Sequence, residues 1–298
     1  MRELRVVYNP IARRGRFISQ VDRLTEIAQS HGFLVSLYRM TGKAVDAKEM
    51  LSGLGDSAII VACGGDGTLQ EVVNALVDYD LNIPVGLLPY GTSNDFADSL
   101  GLTTNPSELV EYIETGNIGP VDLGCIGDKC FVNVFSAGQI TKVSHGVDRV
   151  FKDHMGMLAY YLHSMEHLPK MTAFDLTLKG DIQESFKCLL FLALNSTSAG
   201  GFKNLAPKAN LNDGALDIIA VRECSLPEIA SVLIGVLRGE HHNHPAVLYA
   251  RAAHLEVSGP ADVATDIDGE RGPALPVRIE VLPGRIQMLG APPLPQNE

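Results

Sequence analysis

The stretch AIIVACGGDGTLQEVVNAL, residues 58–76, constrains the fold more than any other part of the chain. Ala58 to Ala62 is a short apolar run rich in isoleucine and valine, as expected of a strand buried on both faces. Gly64, Gly65, Asp66 and Gly67 interrupt it. Leu69, Val72, Val73, Leu76 and Val77 then recur at the spacing of one helix face. The glycines therefore stand where a strand hands over to a helix. A helix start carries unpaired N–H groups and a partial positive charge, so it can hold an anion, and glycines let the backbone approach that anion closely. The simpler reading is a turn with Asp66 or Thr68 as N-cap. A cap needs one small polar residue rather than three glycines around it, which favours a phosphate-binding loop. No Lys-Ser/Thr pair follows the last glycine, so this is not a P-loop.

The surrounding sequence places that loop in a parallel sheet. LRVVYN, FLVSLYRM, the 58–62 run and IPVGLLP read as strands, separated by helical patterns at Phe17 to Ala28, 44–54 and 69–79. Such alternation predicts an α/β unit with helices on both sheet faces and ligands bound beyond the C-terminal strand ends. NPIARRGR, GGDGT and GTSNDF lie at those ends. From about residue 121 strand-like runs dominate, FVNVFSAG, PVRIEVL and RIQML among them, with helical stretches near 155–168 and 226–238. The expected organisation is an α/β nucleotide-binding domain over 1–125 and a second, mostly antiparallel β-sandwich domain over 126–290, with the active site in the interdomain cleft. The Pro-rich residues 291–298 read as a mobile tail.

The 298 residues suffice for two domains. A net charge of −11 excludes general nucleic-acid binding and a broad polybasic membrane anchor. The local exception is Arg13, Arg14 and Arg16. No apolar run reaches the length of a membrane span and no signal peptide is evident, so a cytoplasmic protein is expected. The five cysteines contain no Cys-x-x-Cys pair and read as reduced thiols; His241, His242 and His244 read as a surface loop.

Asp66 is the informative oddity among these residues. A carboxylate inside a phosphate loop repels phosphate unless a cation lies between them, and Mg²⁺ is held by few carboxylates plus substrate phosphates and waters. Asp95 and Asp122 fall where neighbouring strand ends could bring them near Asp66. Late in the chain TDIDGERGP reads either as a polar hairpin or as the source of a general base toward an alcohol, from Asp268 or Glu270.

Taken together these motifs resemble, in order and over nearly the whole chain, the bacterial diacylglycerol kinase-like lipid kinases. These are relatives of the catalytic domains of eukaryotic diacylglycerol, sphingosine and ceramide kinases. The matching stretches are VVYNP, GGDGTLQEVVNAL, VGLLPYGTSNDFADSLGL, VDLG, LALNSTSAGGFKNLAPKANLNDGALDIIAV and DIDGE. GGDGT alone is shared with NAD kinases and phosphofructokinases; GTSNDFA with LAPKANLNDGALD is far more specific. The resemblance implies ATP contacts from Asn9, Thr41, Gly64, Gly65, Asp66, Gly67, Thr68, Leu69, Gln70 and Thr92. It implies a base among Asp268 and Glu270, and a Mg²⁺ network at Asp66, Asp95 and Asp122. It also implies a structural Mg²⁺ at Asn210, Asp213 and Ala215, for which a turn before a strand is the plain alternative. Three departures stand out: Ile11 to Arg16 replace a small-residue, Ser-Gly and Lys run; Val45 replaces a glycine; and FSAGQ replaces a Gly-rich run.

The implied function is an ATP- and Mg²⁺-dependent lipid kinase acting on a lipid hydroxyl, with diacylglycerol the leading acceptor. It would meet that lipid at the membrane surface and pair as a homodimer. The alternatives are another lipid acceptor (phosphatidylglycerol, a sphingoid base), an NAD kinase, or a non-catalytic nucleotide-binding regulator.

Overall fold

Ile59–Gly64 (β3) is buried at every position, because both faces of this strand are covered. Its alternate side chains enter two different cores. Ile60 and Ala62 pack with Leu69, Val72, Val73 and Leu76. Ile59, Val61 and Cys63 pack with Leu24, Ala28 and Leu109 on the other side. The computed structural model describes residues 2–10, 17–41, 47–55, 57–138 and 172–293.

The chain opens with β1 (Arg2–Tyr8), α1 (Val21–Ser30), β2 (Phe33–Arg39) and α2 (Ala47–Leu51). After β3 come α3 (Asp66–Asp78), β4 (Val85–Pro89), α4 (Asp95–Leu100) and α5 (Pro106–Thr115). The strands lie side by side in the order β4-β3-β1-β2, every pair parallel. Helices α1 and α5 cover one face, and α2 and α3 the other. The alternation read from the sequence is therefore present, with α3 starting at Asp66, earlier than the apolar spacing alone marks.

The rest of the chain is strand-rich: β5 (Ile118–Ile126), β6 (Lys129–Phe131), β7 (Val134–Gly138), β8 (Phe174–Gly180), β9 (Glu184–Leu194) and β10 (Leu216–Arg222). Among the described residues the helix α6 (Leu226–Arg238) precedes β11 (Val247–Ala252), β12 (His254–Ser258), β13 (Thr265–Ile267), β14 (Glu270–Arg271) and β15 (Val277–Leu289). Pairing here is antiparallel, around a core of Phe131, Phe135, Leu176, Phe191, Ile218 and Ile279. The two regions are not merely consecutive. Strand β15 runs along β5 and then joins β4 in parallel at Met288–Val85, so the last strand closes the first sheet. PVRIEVL and RIQML, which read as two strands, are thus one strand whose register shifts between Leu282 and Ile286.

Two further features differ from the sequence expectation. Cys125 and Cys130 form a disulfide, because the Gly127-Asp128 turn sets them directly opposite in the β5–β6 pair. His241 is buried, with Nε2 2.8 Å from the Leu205 carbonyl, rather than part of an exposed loop. The basic cluster Arg13 to Arg16, Val45, the 155–168 helix and the end of the tail from 294 fall outside the described residues.

Candidate active site

The site begins where four parallel strands end. Asn9 follows β1, Thr41 lies just beyond β2, Gly64 ends β3 with Gly65 to Gln70 after it, and Thr92 follows β4. Gly65 is the N-cap of α3 in extended conformation, and no side chain caps the helix. The N-cap reading of Asp66 or Thr68 is thereby overturned: the start of α3 is left to the backbone. A Cβ at Gly67 would meet no atom within 4 Å, so the loop leaves open space there. Gly65 and Gly91 have the opposite environment. A Cβ on Gly91 would stand 2.2 Å from the Gly65 Cα, so the GGDG and GTSNDF loops touch backbone to backbone. Asn94, at φ 55°, locks the second loop by accepting from Gly91 N (2.8 Å) and donating to Gly91 O (3.1 Å). Leu69 points into the core and Gln70 is buried with Nε2 unpartnered, so Leu69 can meet a nucleotide only through its backbone. Thr41 and Thr92 are exposed.

Asp66 turns away from its own helix. Its carboxylate accepts from Asp95 N (3.2 Å) and Phe96 N (3.0 Å) at the start of α4, and from Asn133 Nδ2 (3.1 Å). Asp95 is buried and accepts from Gly201 N at 3.0 and 3.2 Å. Burial, then the charge of Asp66, push the Asp95 carboxyl up to about 7 against those N–H donors.

Asp268 reaches the same place from the far end of the chain. Asp268 and Gly269 form the two-residue turn between β13 and β14, both at positive φ (49° and 91°), as a tight hairpin of this kind requires. The polar-hairpin reading is thus correct, and it also serves to aim a carboxylate. Asp268 accepts from Val132 N (2.7 Å), Asn133 N (3.0 Å) and Val134 N (2.8 Å). These donors are free because the chain breaks its strand between β6 and β7, where FVNVFSAG reads as one uninterrupted strand. Burial raises the Asp268 carboxyl to about 7; the three N–H groups oppose the rise and the Asp66 charge adds to it. Glu270, by contrast, is exposed and paired with Lys129 Nζ at 2.5 Å. Glu71, on α3, is raised by burial and by the Glu270 charge, with Lys129 opposing.

Asp66, Asp95 and Asp268 thus form one electrostatically coupled set. Asp122 does not join them. It is buried, and its two oxygens accept from Gly214 N and Gly284 N, each at 2.6 Å. Gly284 lies in the register shift of β15, so Asp122 ties that kink to the Asn210–Ala215 turn. In that turn Asn210 Oδ1 accepts from Asn212 N (3.2 Å) and Asp213 Oδ1 accepts from Ala215 N (3.2 Å). Asp213 also pairs with Arg251, which already supplies a positive charge there. Among the described residues no three His, Cys, Asp or Glu side chains stand close enough to hold one metal ion.

Sequence reading missed Asn133, Asn195 and Ser196. Asn195 is buried, and its Nδ2 donates to Asp122 O (2.8 Å) and Val132 O (3.1 Å). The available signal was a polar residue inside an apolar run, Asn133 in FVNVF and Asn195 in LALNS, where burial demands a partner.

Open space at a helix start, beside an acidic set that joins Asp66, Asp95 and Asp268, fits a phosphotransferase acting on a hydroxyl. Comparison with known proteins gives the particular family. The profile of the diacylglycerol kinase catalytic domain matches residues 3–126, and that of the YegS C-terminal NAD kinase beta sandwich-like domain matches 133–290. A diacylglycerol kinase of Staphylococcus carnosus is 34% identical over 289 residues, covering 95% of this chain and 94% of its own. A diacylglycerol kinase of Bacillus subtilis is 33% identical, covering 93% and 92%. The chain belongs to the diacylglycerol kinase family, a family of lipid kinases. Among solved structures, a putative diacylglycerol kinase from Bacillus anthracis shares the fold at TM-score 0.81 and 22% identity, covering 96% of this chain and 94% of its own. An NAD kinase from Archaeoglobus fulgidus in complex with ATP shares it at TM-score 0.52 and 14% identity, covering 94% and 90%. No helix among the described residues is long and apolar enough to cross a membrane.

Proposed function

We propose that this protein transfers the γ-phosphoryl group of ATP to the free hydroxyl of diacylglycerol, giving phosphatidic acid and ADP. The observation that carries the reading is Asp268: a carboxylate raised to about 7, held on three backbone N–H groups, in the same acidic set as the loop at the start of α3. The hydroxyl oxygen attacks the γ-phosphorus, the bond to the bridging oxygen breaks, and the hydroxyl proton passes to Asp268. Glu270 is the poorer base, because it is exposed and already paired with Lys129. The nucleotide phosphates lie against the start of α3 over Gly67, with Asn9, Thr41 and Thr92 around them.

The acids fit a Mg²⁺ ion as a two-carboxylate site. Asp66 and Asp95 are hard oxygen ligands, and the Asp66 charge, after burial, is what raises the Asp95 carboxyl. Bound there, Mg²⁺ would neutralise charge on the transferring phosphates. Asp122 fits a structural role better, and the Asn210, Asp213 and Ala215 turn fits a second cation poorly, since Arg251 already occupies Asp213. We assign the nucleotide unit to residues 1–125 and the acceptor-facing unit to 126–290, with the lipid met at a membrane surface and a homodimer as the assembly.

The test is lipid extraction after incubation with γ-labelled ATP, Mg²⁺ and diacylglycerol in mixed micelles. Label in phosphatidic acid is expected; label remaining in nucleotide and free phosphate opposes the reading.

A further inference from the structure

Between the two acids that the reaction needs lies a residue to which no role has been given. Asn133 is 3% exposed and uses all four of its polar groups, on three separate segments. Its N–H donates to Asp268 Oδ1 (3.0 Å) and its carbonyl accepts from Asn195 N (2.8 Å). Its side-chain Nδ2 donates to Asp66 Oδ1 (3.1 Å), and its Oδ1 lies 2.8 Å from the hydroxyl of Ser196, itself fully buried. The Ser196 hydroxyl is also 2.8 Å from Ser198 O, so its single proton is shared between the two acceptors. A carboxylate can only accept, which fixes the Asn133 amide with its NH₂ toward Asp66 and its oxygen toward Ser196.

We propose that Asn133 is a positioning residue: a clasp, oriented by Ser196, that sets the phosphate-loop carboxylate Asp66 and the base Asp268 in fixed relation. The two acids come from distant parts of the chain, and among the described residues the other donors to each are backbone N–H groups: for Asp66 those at the start of α4, for Asp268 those at the break between β6 and β7. Asn133 is the residue bonded to both. Its side chain acts on Asp66 and its main chain on Asp268, so a side-chain substitution frees one acid while leaving the other's donors in place. Displacements of about 1 Å in such a site cost on the order of a hundredfold in rate.

The inference rests on the phosphoryl-transfer reading, and the experiment separates the two. Full-length Asn133→Ala and Asn133→Leu are compared with wild type in the mixed-micelle assay, with ATP affinity measured by direct binding. The expected result in both is a fall in kcat of about tenfold or more, with ATP affinity and the KM for lipid within about threefold. Leucine restores volume without the hydrogen bond, so rescue by Asn133→Leu to within about twofold of wild type would overturn the clasp. Ser196→Ala is expected to lower kcat less, and Asn133→Ala/Ser196→Ala to be no slower than Asn133→Ala; losses that multiply independently would also overturn it. If Asn133 variants do not fold, Ser196→Ala alone carries the test by the same split between kcat and affinity. If wild type transfers phosphate to no lipid, the kinase reading has failed. The clasp is then judged by unfolding of Asn133→Ala, Asp66→Asn and the double variant, where coupling supports it and additivity refutes it.

Discussion

Replacing Asp268 by asparagine is expected to separate activity from stability. Asp268 Oδ1 accepts from Asn133 N and Val134 N, and Oδ2 from Val132 N at 2.7 Å. An asparagine whose oxygen keeps the first pair turns its NH₂ toward the Val132 N–H, donor against donor. One lost bond and one stranded buried donor cost about 1–3 kcal/mol. Against this stands the relief of removing a charge that burial disfavours. The carboxyl is raised from 3.8 to about 7, so the folded state binds more protons than the unfolded state between those values. Wild-type stability therefore falls as pH rises through that window, by at most a few kcal/mol at about 1.4 kcal/mol per unit. Asp268→Asn escapes that loss. Its stability relative to wild type should accordingly improve between pH 4 and pH 8, to near equality or better, while turnover drops by about 10²–10⁴-fold for want of a base. Urea unfolding across pH and the mixed-micelle assay measure the two quantities. A variant keeping more than about a tenth of wild-type turnover, or a stability profile parallel to wild type, would refute the reasoning.

Four further outcomes follow from the same geometry. Gly91→Ala places a methyl group 2.2 Å from the Gly65 Cα, so the two loops must part; nucleotide affinity should fall about tenfold or more in a binding titration, and unchanged affinity would contradict the loop contact. Asp122→Ala strands the N–H groups of Gly214 and Gly284 and should cost about 2–5 kcal/mol in urea unfolding; a loss below about 1 kcal/mol would show that neither bond matters. Glu270→Gln breaks an exposed ion pair, so stability should change by less than about 1 kcal/mol and turnover by less than about tenfold; a loss equal to that of Asp268→Asn would move the base to Glu270. Asp95→Asn removes a second carboxyl raised to about 7, so the decline in stability from pH 4 to pH 7 should flatten; an unchanged slope would mean that Asp95 is ionised throughout.

The parts of this site that were legible in the sequence are those where local chemistry and tertiary structure agree. The GGDGT loop combines strand period, glycine and helix period within one stretch, and the structure builds β3, the loop and α3 from it. Asp268-Gly269 is likewise a turn by composition alone. What stayed hidden depends on long-range pairing. Nothing local says that β15 returns to β4, or that the Cys125 and Cys130 positions face one another. Asp122 and Asp66 look alike in sequence, each an acid near a strand end. Only the fold shows one bonded to two glycine N–H groups at a kink and the other bridging to Asn133. The FVNVF break escaped notice because its cause, the Asp268 carboxylate, lies more than 130 residues away.

The most direct test of the central claim is a competition among acceptors. Purified protein, γ-labelled ATP and Mg²⁺ would be offered diacylglycerol, phosphatidylglycerol, a sphingoid base and a polyprenol in mixed micelles, with NAD in the buffer. The account predicts label in diacylglycerol and its loss with Asp268→Asn. Label moving only into NAD, or into no acceptor while ATP binds, would contradict it.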